Sequence, residues 1–139
     1  MVEIDVHYDT ELRCRAEHGP SHTRLATDAP VDNQGRGESF SPTDLLATSL
    51  GTCMLTTMGI VARRKGWNVD GLDARVHKHM SREPPRRVAR LPVQIRAPQA
   101  VGRALDAAAR AELEQAARTC PVALSLNPSI EITITVDWG

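Results

Sequence analysis

The feature that most constrains this chain is a stretch of eighteen residues, Leu45 to Ala62, without a charged side chain. It follows Ser41-Pro42-Thr43-Asp44, which is typical of a helix start. Serine caps a backbone N–H, proline suits the first helical position, and the acid faces the positive end of the helix dipole. Three basic residues and Gly66 follow the stretch, as expected at a helix end. The sequence therefore predicts one long helix from Pro42 to about Arg64.

An uncharged helix of this length could in principle span a membrane. Seven of its residues are hydroxyl-bearing or glycine, which suits close packing inside a protein: Thr48, Ser49, Gly51, Thr52, Thr56, Thr57 and Gly59. We therefore expect a central buried helix and no membrane partner. A domain this small cannot easily hide so much apolar surface alone. The same stretch thus predicts a homodimer whose interface includes this helix.

The rest of the chain is predicted to form strands and a second helix. Alternation of apolar and polar residues is the signature of a half-buried strand, and residues three and four apart mark an amphipathic helix. The order predicts the α+β class, with a curved antiparallel sheet wrapped around two long helices in a single domain over residues 1–139. The predicted strands are Val2–Tyr8, Leu12–Glu17, Thr23–Thr27, Leu72–Val76, Val88–Ile95 and Ile130–Val136; the second helix is Val101–Thr119, and Asp28–Phe40 is a loop.

Composition argues against several function classes. Acidic and basic residues balance at 17 each, and the chain has only four aromatic residues. A stacking platform for single-stranded nucleic acid needs several aromatics on one face, so no nucleic-acid partner is expected. The N-terminus lacks the basic and apolar regions of a signal peptide, which favours a cytoplasmic protein. In that compartment cysteines seldom serve as structural disulfides.

Two cysteines stand in contexts that could carry chemistry. Cys53 lies in the middle of the uncharged helix, where the simplest interpretation is a small apolar core side chain. Cys120 precedes Pro121 at the end of the second helix, where the chain must turn. The pair is not a CxxC motif, so spacing alone is a weak redox signal. What matters is whether the two thiols meet in space.

Metal and nucleotide sites have weaker support. Cys14, His18 and His22 are spaced like three ligands, and His77 and His79 would share one strand face. Neither set is accompanied by a second pair at zinc-finger spacing, and a lone Gly-Arg-Gly at residues 35–37 follows no clear strand. We expect no metal and no organic cofactor, and we take Cys14 as structural.

The stretch from Ser41 to Cys53, together with Cys120-Pro121-Val122, resembles the OsmC/Ohr family of thiol peroxidases. The order of strands and helices matches over nearly the whole chain. The resemblance implies an OsmC-like fold and an intertwined homodimer with the sites at the subunit interface. It also implies that Cys53 attacks an organic hydroperoxide and becomes a sulfenic acid. Cys120 would then trap that acid as a disulfide, which an external dithiol reduces.

The family also supplies an arginine, held by an acid, that favours the reactive thiolate. Better-studied branches carry a glutamate directly after the helix-starting proline, whereas this chain has Thr43 there and its acid at Asp44. Arg36, two residues from Glu38, is the first candidate arginine. The alternatives are Arg13, Arg15 and Arg24, and the predicted catalytic set is Cys53, Cys120, Arg36, Glu38 and Asp44.

Two further hypotheses come from the same residues. Asp44 also fits a plain helix cap, which is the commoner role for an acid at that position. The alternative function is a non-catalytic OsmC-like domain that binds a small apolar ligand or partner, with idle or sensory thiols.

Overall fold

The computed structural model describes all 139 residues, which fall into two compact units, residues 1–46 and 47–139. The first unit contains a three-stranded antiparallel sheet in the order β1-β2-β3. Its strands are β1 (Ile4–Thr10), β2 (Arg13–His18) and β3 (Arg24–Asp28). All three strands were predicted, with bounds that differ by one or two residues.

One face of this sheet is apolar and exposed. The register sets Val6 beside Ala16 and Leu25, and Tyr8 beside Cys14 and Thr27. Because side chains alternate between the faces of a strand, these rows lie on one face with Ile4. Ile4, Val6, Tyr8 and Leu25 are between 45% and 68% exposed. A sheet face this apolar normally packs against another surface.

The long helix α1 spans Pro42–Lys65, one residue beyond the predicted end. Ser41 Oγ accepts the N–H of Asp44 at 3.1 Å, and Asp44 Oδ2 accepts the N–H of Ser41 at 2.8 Å. These reciprocal bonds form a capping box, so Asp44 acts here as a helix cap. Gly66, at a φ of 71°, takes the left-handed conformation that ends many helices.

By length and composition alone α1 could cross a membrane, with a mean hydropathy of 1.6 over its most apolar window. Leu50, Met54 and Met58, which recur every four residues, are fully buried. Within the second unit a Cβ on Gly51 would come within 2.9 Å of the Val76 side chain, so the helix lies close against the strand there. One face of α1 therefore belongs to the core of the second unit.

The sheet of the second unit is built on its longest strand, β6 (Val88–Arg96). The strands β4 (Asp73–Val76) and β5 (His79–Met80) run antiparallel to β6, and β7 (Glu131–Asp137) runs parallel to it. The α+β class and the OsmC-like fold are as predicted. The expectation of a single antiparallel sheet was wrong in two details: the chain has two sheets, and one strand pair is parallel.

The second predicted helix, Val101–Thr119, is two helices. The first, α2, covers Gln99–Ala104, and α3 covers Ala107–Arg118. Asp106 caps α3 by accepting the N–H of Ala109 at 2.8 Å, which starts a new helix at that point. A short helix α4, Pro121–Ser125, was not predicted. Together α2, α3 and α4 form the crossover that a parallel β6–β7 pair requires.

Candidate active site

The two candidate redox cysteines both lie in the second unit. Cys53 is half-buried in the middle of α1, and the Thr57 hydroxyl donates to its backbone carbonyl at 2.8 Å. Cys120 is fully buried between α3 and α4. It is the N-cap of α4, and its sulfur accepts the N–H of Ala123 at 3.5 Å. Pro121 at the first helical position helps to fix this turn.

The structure brings these two thiols together. The Cys53 side chain lies close enough to raise the pKa of the Cys120 thiol, and both cysteines are free thiols. The two cysteines are 67 residues apart in sequence, so no local pattern could have shown that they lie close together. Two thiols this close can form a disulfide when one of them is oxidised to a sulfenic acid.

The environments of the two thiols differ. Burial raises the pKa of the Cys120 thiol, and the nearby Cys53 raises it further, against the opposing effect of the Ala123 N–H. Cys120 therefore stays protonated at neutral pH. The half-buried Cys53 is thus better suited to meet a substrate.

The arginine–acid pairs of the first unit differ from the one that the sequence suggested, Arg36 with Glu38. Arg36 contacts Glu11 at 3.0 Å and not Glu38, and both residues of this pair are exposed. Glu38 is instead hydrogen-bonded and ion-paired with Arg13. Arg13 also lies 3.6 Å from the carboxylate of Asp28. Nearness in sequence between Arg36 and Glu38 therefore did not predict their partners.

All four candidate arginines have an acidic partner, so pairing alone does not select one. Arg15 is bonded to Asp9 and Arg24 to Glu17. Their side chains are 65% and 78% exposed, and that of Arg36 is 61% exposed, whereas Arg13 is 35% exposed. The hydrogen bond with Glu38 raises the pKa of Arg13 most, with further support from the charges of Glu38 and Asp28. Arg13 is therefore the most enclosed of the four and faces two carboxylates.

The residues considered as metal ligands make other contacts. His18 Nδ1 lies 2.6 Å from Ser21 Oγ, and His22 Nδ1 lies 3.0 Å from Glu17 Oε1. Cys14 is half-buried in β2, level with Tyr8 and Thr27. No group of three or more His, Cys, Asp or Glu side chains is arranged to hold a metal ion.

The family model described as OsmC-like protein matches residues 35–135, which is well over half of the chain. The chain belongs to the OsmC-like family. This match takes in both cysteines of the thiol pair, Glu38 and the whole of α1. The first sheet, which holds Arg13, lies before the matched residues.

Solved structures extend the likeness of this OsmC-like chain to its full length. A candidate osmotic stress induced and detoxification response protein from Psychrobacter arcticus 273-4 is 44% identical, with a TM-score of 0.89 over 98% of this chain and 96% of that one. An organic hydroperoxide resistance protein OsmC from Legionella pneumophila is 16% identical, with a TM-score of 0.71 over 99% and 96% of the two chains.

The organic hydroperoxide resistance protein OhrB of Bacillus subtilis is 11% identical, with a TM-score of 0.70 over 99% of this chain and 98% of that one. At such low identity the last two comparisons establish the shared fold alone. No curated protein matches the sequence.

Proposed function

We propose that this OsmC-like protein is a thiol-dependent peroxidase that reduces organic hydroperoxides in defence against oxidative stress. The observation that carries the proposal is the proximity of a half-buried thiol, Cys53, to a fully buried one, Cys120, whose pKa it raises. The names of two relatives with the same fold, both organic hydroperoxide resistance proteins, point the same way.

In the proposed reaction the Cys53 thiolate attacks the terminal oxygen of the hydroperoxide. An S–O bond forms, the O–O bond breaks, and the alkoxide takes a proton and leaves as an alcohol. The sulfur is oxidised to sulfenic acid. Cys120 then attacks that sulfur and gives up its proton, so that water leaves and a disulfide forms. An external dithiol reduces the disulfide and completes the cycle.

We propose Arg13, in place of Arg36, as the acid-held arginine that the family resemblance implies. The assignment rests on the pairing of Arg13 with Glu38, on its lower exposure and on the family's use of an acid-held arginine. A guanidinium held by two carboxylates is pre-oriented, so little reorganisation is needed when charge develops.

Substitution of Arg13 by methionine should slow the reaction of Cys53 with tert-butyl hydroperoxide by about 100-fold, since one preorganised electrostatic contact contributes on that order. Arg36→Met, which breaks only the exposed pair with Glu11, should change the rate less than about threefold. Stopped-flow measurement of peroxide consumption with excess dithiothreitol compares the two. An equal loss in both variants would leave Arg36 a candidate, and a large loss in Arg36→Met alone would reverse the assignment.

We also propose that the protein works as a homodimer. The exposed apolar sheet face of the first unit and an exposed uncharged stripe on α1, formed by Thr48, Thr52, Thr56 and Ile60, both need a partner surface. The units carry opposite charge: residues 1–46 hold nine acids and four bases, and residues 47–139 hold eight acids and thirteen bases. A second copy would thus offer both an apolar and an oppositely charged surface.

Thr52→Lys should shift the protein towards monomers, because it places a charge in the proposed helix interface. We expect the dimer dissociation constant to rise by about 100-fold or more. Thr133→Lys, at an exposed position on β7, is the matched control and should leave the dimer intact. Sedimentation velocity at micromolar concentrations measures both. A parent protein that sediments as a monomer contradicts the proposal outright.

A further inference from the structure

The two sulfurs of the proposed disulfide differ in how a second thiol could reach them. Cys120 has 0% of its surface exposed, whereas Cys53 is half-buried. Thiol–disulfide exchange proceeds by attack of a thiolate on one of the two sulfurs, and access helps to decide which sulfur is attacked. The external dithiol that completes the proposed cycle therefore meets two unequal positions.

Cys53 lies on the flank of α1, at the edge of its buried face. Residues four apart share a helix face, so Ser49 and Thr57 are the neighbours of Cys53 one turn before and one turn after it. All three are half-buried, whereas the adjacent row through Leu50 and Met54 is fully buried. The sulfur of Cys53 thus stands where the core of the second unit meets its surface.

Cys120 is enclosed at the junction of α3 and α4. Its N–H donates to the Ala117 carbonyl at 3.4 Å, and its own carbonyl accepts the N–H of Leu124 at 3.1 Å. Its sulfur accepts the N–H of Ala123 at 3.5 Å. Bonds on both sides fix the backbone of Cys120, and turning its sulfur towards solvent would break the bond to Ala123.

The direction of attack adds to the difference in access. In thiol–disulfide exchange the attacking, attacked and leaving sulfurs lie nearly in one line. A thiolate that attacks Cys120 would have to arrive from the side away from Cys53, through the buried turn between α3 and α4. One that attacks Cys53 approaches a half-buried sulfur from the side away from Cys120.

We propose that the external dithiol attacks Cys53 of the oxidised protein and that Cys120 is the leaving thiol. This inference rests on the function proposed above and specifies its reductive half. The attacking thiolate forms an S–S bond with Cys53 and the bond between Cys53 and Cys120 breaks. Cys120 takes the electron pair and the proton that the attacking thiol gave up. The second thiol of the reductant then attacks its own bonded sulfur, closes a cyclic disulfide and returns Cys53 with a proton.

Electrostatics acts on Cys120 in two directions as it leaves. Burial raises the pKa of the Cys120 thiol most, whereas the N–H groups of Ala123 and Val122 lower it. The two N–H groups stabilise the leaving charge, but the raised pKa makes Cys120 a slower leaving group than an exposed thiol. Access outweighs this effect, because a sulfur that no reagent reaches is not attacked at all.

The first test locates the mixed disulfide in a Cys14→Ser protein, which keeps only the two relevant thiols. Diamide forms the disulfide, and a brief exposure to 2-mercaptoethanol is then stopped by acid and followed by N-ethylmaleimide in denaturant. This reagent is small and uncharged, so neither bulk nor charge directs it. Peptide mass spectrometry should find mercaptoethanol on Cys53 and maleimide on Cys120, in about tenfold excess or more over the reverse. An even or reversed distribution would overturn the inference.

The same disulfide in guanidinium chloride is the control for intrinsic reactivity. Unfolding exposes both sulfurs, so the two adducts should approach equal amounts. A bias towards Cys53 that survives unfolding unchanged would come from local sequence and not from burial, and would overturn the argument.

A pair of proline variants tests the enclosure of Cys120 within the folded protein. Pro121 is the first residue of α4, and Pro128 is an exposed proline of the same unit outside any helix or strand. Pro121→Gly loosens the turn and should raise the share of adduct on Cys120 by about threefold. Pro128→Gly is the matched control and should leave the share unchanged. A rise in Pro128→Gly with none in Pro121→Gly would contradict shielding by the turn.

The lifetime of the mixed disulfide gives a second measurement. Cys53 is loaded with 2-hydroxyethyl disulfide, and the free reagent is removed by gel filtration. In the parent the neighbouring Cys120 thiol should expel mercaptoethanol and form the disulfide, whereas the adduct should last about 100-fold longer or more in Cys120→Ser, because an intramolecular thiol acts at high effective concentration. Equal lifetimes would overturn the inference.

The chemical oxidant separates this inference from the peroxidase proposal. A protein that forms the disulfide with diamide and not with a hydroperoxide contradicts the peroxidase proposal alone, and the positions of its adducts still decide the leaving thiol. A protein in which diamide forms no disulfide between Cys53 and Cys120 contradicts both.

Discussion

Replacement of Cys53 by serine is expected to abolish peroxide consumption, with a loss of about 1,000-fold or more. A serine hydroxyl stays protonated at neutral pH and cannot attack the O–O bond as the thiolate does. The measurement is the disappearance of tert-butyl hydroperoxide with dithiothreitol as the electron donor. The substitution changes a single atom at a half-buried position, so the fold should be retained.

Cys14→Ser is the matched control for this experiment. Cys14 lies in the sheet of the first unit, level with Tyr8 and Thr27, and has no part in the proposed reaction. It should keep the parent's rate within about twofold. If Cys53→Ser consumes peroxide as fast as the parent does, Cys53 is not the attacking thiol. A parent protein with no activity would favour the ligand-binding alternative.

The second large effect is expected from Cys120→Ser. This variant should reduce one equivalent of hydroperoxide and then stop, because the sulfenic acid on Cys53 has no thiol to trap it. Steady-state turnover should fall by about 100-fold or more while the first turnover stays close to the parent's rate. With excess peroxide, Cys53 should advance to sulfinic and sulfonic acid, which the parent's disulfide prevents.

Rapid-quench kinetics followed by peptide mass spectrometry checks both parts of that expectation. The raised pKa of Cys120, caused chiefly by burial, agrees with a resolving thiol that stays protonated until Cys53 is oxidised. If Cys120 is overoxidised in the Cys53→Ser protein and Cys53 is not overoxidised in the Cys120→Ser protein, the roles of attacking and resolving thiol are exchanged. Full steady-state turnover in Cys120→Ser would remove it from the cycle.

The elements that the sequence predicts well are those with local causes. The start of α1 depends on Ser41, Pro42 and Asp44, which stand within four residues, and its end depends on Gly66. The strands follow from alternation of side chains over five to nine residues. Such signals need no knowledge of what the rest of the chain does.

The details that the sequence did not predict depend on distant partners. Helical periodicity continues across Leu105 and Asp106, so the break between α2 and α3 appears only once Asp106 is seen to cap Ala109. Nothing local distinguishes the parallel pairing of β7 from an antiparallel one. That direction follows from the crossover through three helices.

The same distinction between local causes and distant partners applies to the candidate site. The two cysteines could be picked out from their surrounding motifs, but their proximity joins residues 67 positions apart. The Arg13–Glu38 pair spans 25 positions. Arg36 was favoured because it is two residues from Glu38, yet its side chain reaches Glu11 across the loop. Asp28 was missed, because burial of an acid beside an arginine is a property of the fold and not of any motif.

The most direct measurement is a map of the disulfides in the parent protein after one equivalent of cumene hydroperoxide. Intact and peptide mass spectrometry without a reductant should show the loss of two hydrogens, one disulfide between Cys53 and Cys120 within the same chain, and a free thiol at Cys14. Addition of dithiothreitol should restore all three thiols. A protein whose Cys53 stays reduced, or whose oxidation joins Cys14 to either of the others, would contradict a thiol peroxidase that works through Cys53 and Cys120.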